Sequence, residues 1–120
     1  MKDNIIVLGT EYRIEIHKVS SDEYLENKKL SGYCCEESKL IVVADMSEKK
    51  YFYGMDENEQ DIYRKKVLRH EIIQAFLNES GLSDSSDVYS GGWAKHEEMV
   101  DWFAIQSPKV FAVFKDLDIL

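Results

Sequence analysis

Residues 56–81 read DENEQDIYRKKVLRHEIIQAFLNESG, and this stretch decides the fold. Its apolar side chains recur at roughly helical spacing, at Ile62, Leu68, Ile72, Ile73, Phe76 and Leu77. Asp56 followed by Glu59 matches a capping box, in which the two side chains bind free backbone N–H groups at a helix start. Ser80-Gly81 suits a helix end, because glycine readily adopts the left-handed conformation common there. The stretch predicts a helix of about 23 residues that begins near Glu57.

The sequence before this helix predicts a sheet of about four strands, built from two β-hairpins. The first joins IIVLG to EYRIEIHKV, in which apolar and polar side chains alternate, through a turn at Gly9-Thr10. The second joins GYCCEE to LIVVAD. The continuous apolar run of LIVVAD is typical of a strand that is covered on both faces.

Further helices are predicted beyond residue 81. The polar segment LSDSSDVYSGGW (82–93) is typical of a surface loop. A second helix is expected from about Ala94 to Gln106, and a short third one after Ser107-Pro108, because proline suits a first helical position. The chain therefore predicts an α+β domain spanning residues 1–120. Its small, mainly antiparallel sheet packs on the long helix, with one or two further helices.

Composition and charge exclude several functions. The chain has 120 residues, with 15 Lys and Arg against 23 Asp and Glu, and a net charge of −8 at pH 7. Phosphate backbones repel such an acidic protein, so nucleic acid is not an expected partner. Cys34 and Cys35 are adjacent and do not suit a disulfide, which favours a reducing cytoplasm. No apolar run approaches the ~20 residues of a membrane-spanning helix, so no membrane association is expected.

The candidate chemistry lies on the long helix, at His70-Glu71-Ile72-Ile73-Gln74. Zinc peptidases of the H-E-x-x-H type place two histidines four residues apart, so that both imidazoles reach one ion from the same helical face. The glutamate beside the first histidine activates the water on the metal. Here Gln74 stands in place of the second histidine. The alternative interpretation is a solvated His-Glu pair, since such dipeptides also occur by chance on exposed helices.

The sequence around this motif resembles a known family. We find the resemblance in RHEIIQAFLNESGLSDSS (69–86) and WAKHEEMVDWFAIQSPKVF (93–111). Both look like small metallopeptidase-like proteins that phages and mobile elements of Gram-positive bacteria encode, relatives of the ImmA/IrrE family. The same layout is seen in VLGTEYRIEI, GYCCEESKLIVVADM and DIYRKKVLRHE, so the resemblance covers nearly the whole chain. It implies a compact zincin-like fold, a zinc cofactor and a protein or peptide substrate.

The resemblance also implies roles for single residues. His70 corresponds to the family's first zinc ligand and Glu71 to its general base. The third ligand is a glutamate from a later helix, here Glu97 or Glu98. We prefer Glu97, because it lies on the predicted inner face of its helix, which it shares with Asp101. Asp101 is then placed to accept the distal N–H of His70 and fix its tautomer. Alternatively, these acids only favour the start of their helix through its dipole.

Gln74 departs from the family's histidine and leaves three outcomes open. A glutamine carbonyl is a neutral oxygen donor with weaker affinity for zinc than imidazole. Zinc could still bind weakly through His70, Gln74 and Glu97, with impaired hydrolysis. The chain could instead have lost its metal and become a binding protein that contacts a host or phage protein. In the third outcome, His96 replaces the missing nitrogen ligand.

Overall fold

The computed structural model describes residues 3–82 and 96–120. The elements in chain order are β1 (Asn4–Val7), β2 (Thr10–His17), a 3-10 turn (Val19–Ser21), α1 (Glu23–Lys28), β3 (Gly32–Cys35), β4 (Leu40–Ala44), α2 (Glu57–Glu79) and α3 (Glu97–Asp116). A four-stranded sheet packs on the long helix α2, which confirms the predicted α+β class. Residues 83–93 of the predicted surface loop lie outside the described part of the chain.

The sheet has the strand order β1-β2-β4-β3 and is mainly antiparallel. Strand β1 pairs with β2, and β3 with β4, in the two predicted hairpins. The hairpins meet where β2 and β4 run parallel, with Ile14 opposite Ile41. The first turn lies at Leu8-Gly9 rather than at the predicted Gly9-Thr10. A two-residue hairpin turn of this kind needs positive φ at both central positions, here 49° and 86°.

Strand β4 is covered on both faces, as its apolar run predicts. Ile41 and Val43 belong to the core cluster on the α2 side. Val42 and Ala44 pack on the other side, against Leu25 of α1. The sequence pattern did not predict α1, because Leu25 is its one buried residue. Its start is fixed by the preceding Asp22, whose carboxylate accepts two backbone N–H groups of the first turn.

Helix α2 has the predicted length of 23 residues, and both hydrogen bonds of its capping box are present. Strand β3 approaches this helix very closely at Gly32. A Cβ atom at that position would lie 2.7 Å from Val67 Cγ1 and 2.9 Å from the carbonyl oxygen of Val42. Both distances are shorter than van der Waals contact, so the approach requires glycine. It brings β3 directly beside Val67 and Glu71.

Helix α3 is one continuous helix, which corrects two predictions. It begins at Glu97, whereas the sequence predicts a start near Ala94, a residue outside the described part. It also continues through Pro108, where the sequence predicts a separate short helix. Proline has no N–H and leaves the carbonyl four residues earlier without its usual donor. Arg69 of α2 supplies the donor instead, because its Nε donates to the Ala104 carbonyl oxygen over 2.5 Å.

Helices α2 and α3 pack through a small apolar cluster. Leu77 and Val100 are buried in it, with Ile73 and Met99 beside them. The contact brings the first turns of α3 against the C-terminal half of α2. Within residues 3–82 and 96–120, no helix is both long enough and apolar enough to cross a membrane.

Candidate metal centre

His70 connects the two long helices through both of its ring nitrogens. Glu97, Val100 and Asp101 share one face of α3. Val100 is buried against Leu77 of α2, so this face lies toward α2. His70 Nδ1 donates a hydrogen bond to Asp101 Oδ1 over 2.7 Å. The other ring nitrogen, Nε2, lies 3.3 Å from Glu97 Oε2. Each nitrogen of the imidazole therefore faces a different carboxylate of α3.

Gln74 joins this group from α2. It lies one helical turn after His70, and its Nε2 donates to Glu97 Oε1 over 2.9 Å. The i, i+4 spacing thus brings two α2 side chains to the same carboxylate. We call the four residues His70, Gln74, Glu97 and Asp101 the interhelical cluster.

The contact between His70 and Glu97 constrains the charge at the cluster. When Nδ1–H donates to Asp101, the neutral imidazole carries a lone pair on Nε2. The Glu97 carboxylate oxygen, 3.3 Å from Nε2, attracts a cation to this side of the ring. The Nε2 side of His70 is therefore a position that favours positive charge.

The cluster is open to solvent on the α3 side. The side chain of His70 is 17% exposed, against 66% for Glu97 and 59% for Asp101. Among the described residues, these three could hold a metal ion, since one ligand atom of each lies within 4.8 Å of the others. Imidazole nitrogen and carboxylate oxygen are common ligands of zinc and other divalent ions. An ion can reach them without unfolding either helix.

Glu71 places a buried carboxyl group beside the cluster. The residue is 4% exposed, and its Cγ lies 3.5 Å from the position of a Cβ built on Gly32, so the side chain lies against β3. Burial raises the pKa of Glu71 to about 8, and the negative charges of Glu97 and Asp101 contribute to the rise. A pKa of about 8 means that Glu71 is mainly protonated at neutral pH.

The other sequence candidates take different places. Glu98 is exposed in the first turn of α3 and lies about 100° around the helix from Glu97. His96 is the N-cap of α3, where its Nδ1 accepts the backbone N–H of Met99 over 3.2 Å. That nitrogen is committed to the cap, which does not favour His96 as a replacement ligand.

Arg69 lies next to His70 but is not among the residues that the sequence predicts for the site. Its hydrogen bond to Ala104 joins α2 to α3 close to the cluster. The available signal was Pro108, because a proline inside a helix leaves a carbonyl that needs another donor.

Comparisons with models of protein families, with curated proteins and with solved structures find no match for this chain. The similarity to relatives of the ImmA/IrrE family stays a prediction from the sequence. What the site can do chemically follows from the cluster itself, which combines one imidazole, one amide and two carboxylates with a buried carboxyl group beside them.

Proposed function

We propose that the chain is a zinc-dependent, peptidase-like protein in which His70, Gln74 and Glu97 hold the metal. The pair of contacts at His70 supports this most directly, since Nδ1 is bonded to Asp101 at 2.7 Å while Nε2 faces Glu97 at 3.3 Å. A carboxylate on the distal N–H fixes the tautomer that keeps the lone pair on Nε2. That lone pair and the Glu97 carboxylate are then directed at the same space, which suits a divalent ion.

Gln74 is the weak member of this ligand set. Its amide nitrogen donates to Glu97 over 2.9 Å, so the end of the side chain is already at the cluster. Rotation of the amide by half a turn presents its oxygen to the same space without any movement of the helix. Because amide oxygen binds zinc less tightly than imidazole, we expect weak zinc affinity and impaired hydrolysis.

Glu71 is the general base in this proposal. A divalent ion held by the cluster would supply Lewis-acid chemistry: it would polarise a peptide carbonyl and lower the pKa of water. Burial raises the pKa of Glu71, and the negative charges of Glu97 and Asp101 add to the rise. A cation at the cluster would offset the contribution of those two charges, and Glu71 in its carboxylate form would accept a proton from water.

Strand β3 offers a place for the substrate. It lies at the edge of the sheet, and Glu71 lies against it at Gly32. An extended peptide that adds to β3 as a further strand would run past Glu71. The proposed substrate is therefore an extended segment of a protein or peptide, such as a regulator of a phage or mobile element.

The metal affinity of Gln74→His tests the ligand set. We expect the variant to bind Zn²⁺ at least about tenfold more tightly than the wild type, because imidazole replaces an amide oxygen. Gln106→His adds a histidine to α3 outside the cluster and serves as the matched control, with unchanged affinity. Equal affinities of Gln74→His and the wild type would show that position 74 does not ligate the metal.

Hydrolysis is tested with the zinc-loaded Gln74→His variant and fluorescein-labelled casein as the probe. We expect fluorescent fragments to be released, and their release to stop when Glu71→Gln is added to the same variant. Cleavage that persists after Glu71→Gln would exclude Glu71 as the general base.

The hydrogen bond between Gln74 and Glu97 favours a second candidate function. The amide donates directly to the carboxylate and so joins the two helices without an ion. A metallopeptidase scaffold of this kind would act as a binding protein. Its acidic surface, with a net charge of −8, would contact a host or phage protein. Elemental analysis after dialysis against zinc separates the two candidates. About one zinc per chain supports the peptidase, and no zinc supports the binding protein.

A further inference from the structure

The carbonyl group of Ala104 is in an unusual position within α3. In a regular helix it would accept the N–H of residue 108, but Pro108 has none. Ala104 is buried, so its carbonyl needs a donor from the protein rather than from water. Arg69 Nε is that donor, over 2.5 Å.

This hydrogen bond lies next to the contacts of the interhelical cluster. Arg69 directly precedes His70 on α2, and Ala104 lies just under one helical turn after Asp101 on α3. The Arg69–Ala104 bond and the His70–Asp101 bond therefore join the same two helices at successive levels. Together they fix how far α3 slides along α2 and how it is rotated about its own axis.

We propose that Arg69 is a positioning residue, which supplies the donor that Pro108 removes and thereby holds Asp101 and Glu97 against His70. The consequence for metal binding rests on the proposed function. The consequence for the His70–Asp101 hydrogen bond does not, because two side chains of the protein itself form that bond.

The surroundings of Arg69 suit this role. The side chain lines an apolar groove between α2 and α3, together with Ile72, Phe103 and Pro108. Ala104 itself is buried, so water has little access to its carbonyl oxygen. A charged donor in such surroundings makes a stronger hydrogen bond than a neutral one.

A cycle of two substitutions separates this role from simple packing. Arg69→Met keeps an unbranched side chain in the groove but removes the donor. Pro108→Ala restores a backbone N–H that can bond to the Ala104 carbonyl within α3. Arg69→Met should therefore be harmful in the wild-type background and nearly harmless in the Pro108→Ala background. Arg64→Met, which removes an arginine that bonds to Asp61 within α2, is the matched control.

Two measurements follow the cycle. In the metal-free proteins, the NMR signal of the His70 Nδ1–H proton reports the bond to Asp101. In the wild-type background, Arg69→Met should abolish or strongly shift this signal and weaken Co²⁺ binding about tenfold. Adding Pro108→Ala should restore both, and Arg64→Met should change neither.

The proposal is overturned if Arg69→Met has the same effect in both backgrounds, or no effect in a folded wild-type background. If Arg69→Met alone does not fold, Arg69→Lys is measured in both backgrounds, with the same requirement that Pro108→Ala suppress its effect. If none of the proteins binds Co²⁺, the proposed metal site fails, while the His70 signal still decides the role of Arg69.

Discussion

Replacement of Glu71 by glutamine should stabilise the metal-free protein at neutral pH. Glutamine has nearly the shape of glutamate and carries no charge. Glu71 is buried against β3, and burial raises its pKa from 4.5 to about 8. The folded wild type must therefore bury a charge or retain a proton that the unfolded chain releases, and either one costs stability.

The size and pH range of the effect follow from this pKa. Below pH 4.5 the carboxyl group is protonated in both states and costs nothing. As the pH rises from 4.5 to about 8, the unfolded chain loses its proton first, so the stability of the wild type falls. With about 1.4 kcal/mol for each pKa unit, the cost at pH 7 is about 3 kcal/mol. This is an upper limit for the gain in Glu71→Gln, because the buried amide also needs hydrogen bonds.

Urea unfolding in EDTA, from about pH 5 to about pH 9, measures the difference. We expect Glu71→Gln to exceed the wild type in stability at neutral pH and to depend less on pH. Glu79→Gln on the same helix is a matched control with the opposite sign. Hydrogen bonds from Lys39, Tyr12 and Thr10 lower the pKa of Glu79 to about 2, so its replacement should destabilise. A Glu71→Gln variant that is less stable than the wild type at pH 7, with an unchanged pH dependence, would refute the reasoning.

Three further predictions concern packing and thiol reactivity. Gly32→Ala should lower the free energy of unfolding by about 1–3 kcal/mol, because its Cβ would lie 2.7 Å from Val67 Cγ1. Unchanged urea unfolding would mean that β3 can move away from α2 at no cost. Leu25→Ala should cost about 2–5 kcal/mol in the same assay, since the fully buried side chain holds α1 on the sheet. A loss below about 1 kcal/mol would contradict that role. Cys34 should react slowly with iodoacetamide in the folded protein, because burial raises the pKa of its thiol to about 12. Mass spectrometry of alkylated peptides, with and without urea, checks this, and fast labelling of Cys34 in the folded chain would count against it.

The sequence predicted the elements whose signals are local. The capping box at Asp56 and the glycine after Ser80 mark both ends of α2, and the two hairpins join strands that are close in sequence. The sequence-based predictions fail where a contact with a distant part of the chain determines the secondary structure. Leu25 is the one buried residue of α1, and it packs against β4, a strand that comes later in the chain. Helix α3 continues through Pro108 because Arg69, far away in sequence, supplies a hydrogen bond.

The candidate site was predictable in its positions but not in its contacts. The spacing of His70 and Gln74 on one helix, and of Glu97 and Asp101 on another, needs only helical geometry. The structure brings these four residues together. The bond from Gln74 to Glu97, and the burial of Glu71 against β3, depend on how closely α3 and β3 approach α2. The spacing of residues within one helix cannot predict how closely another element approaches that helix.

The parallel contact between β2 and β4 governs the order in which the sheet can assemble. Each hairpin closes a short loop and can form early, whereas Ile14 and Ile41 must find each other across a long stretch of chain. In a chain in which this contact has not yet formed, the apolar run of β4 would have an open edge that a neighbouring molecule can pair with. Aggregation of this protein during synthesis or refolding should therefore start at β4. In the folded protein β4 lies between β2 and β3, so both of its edges are already paired.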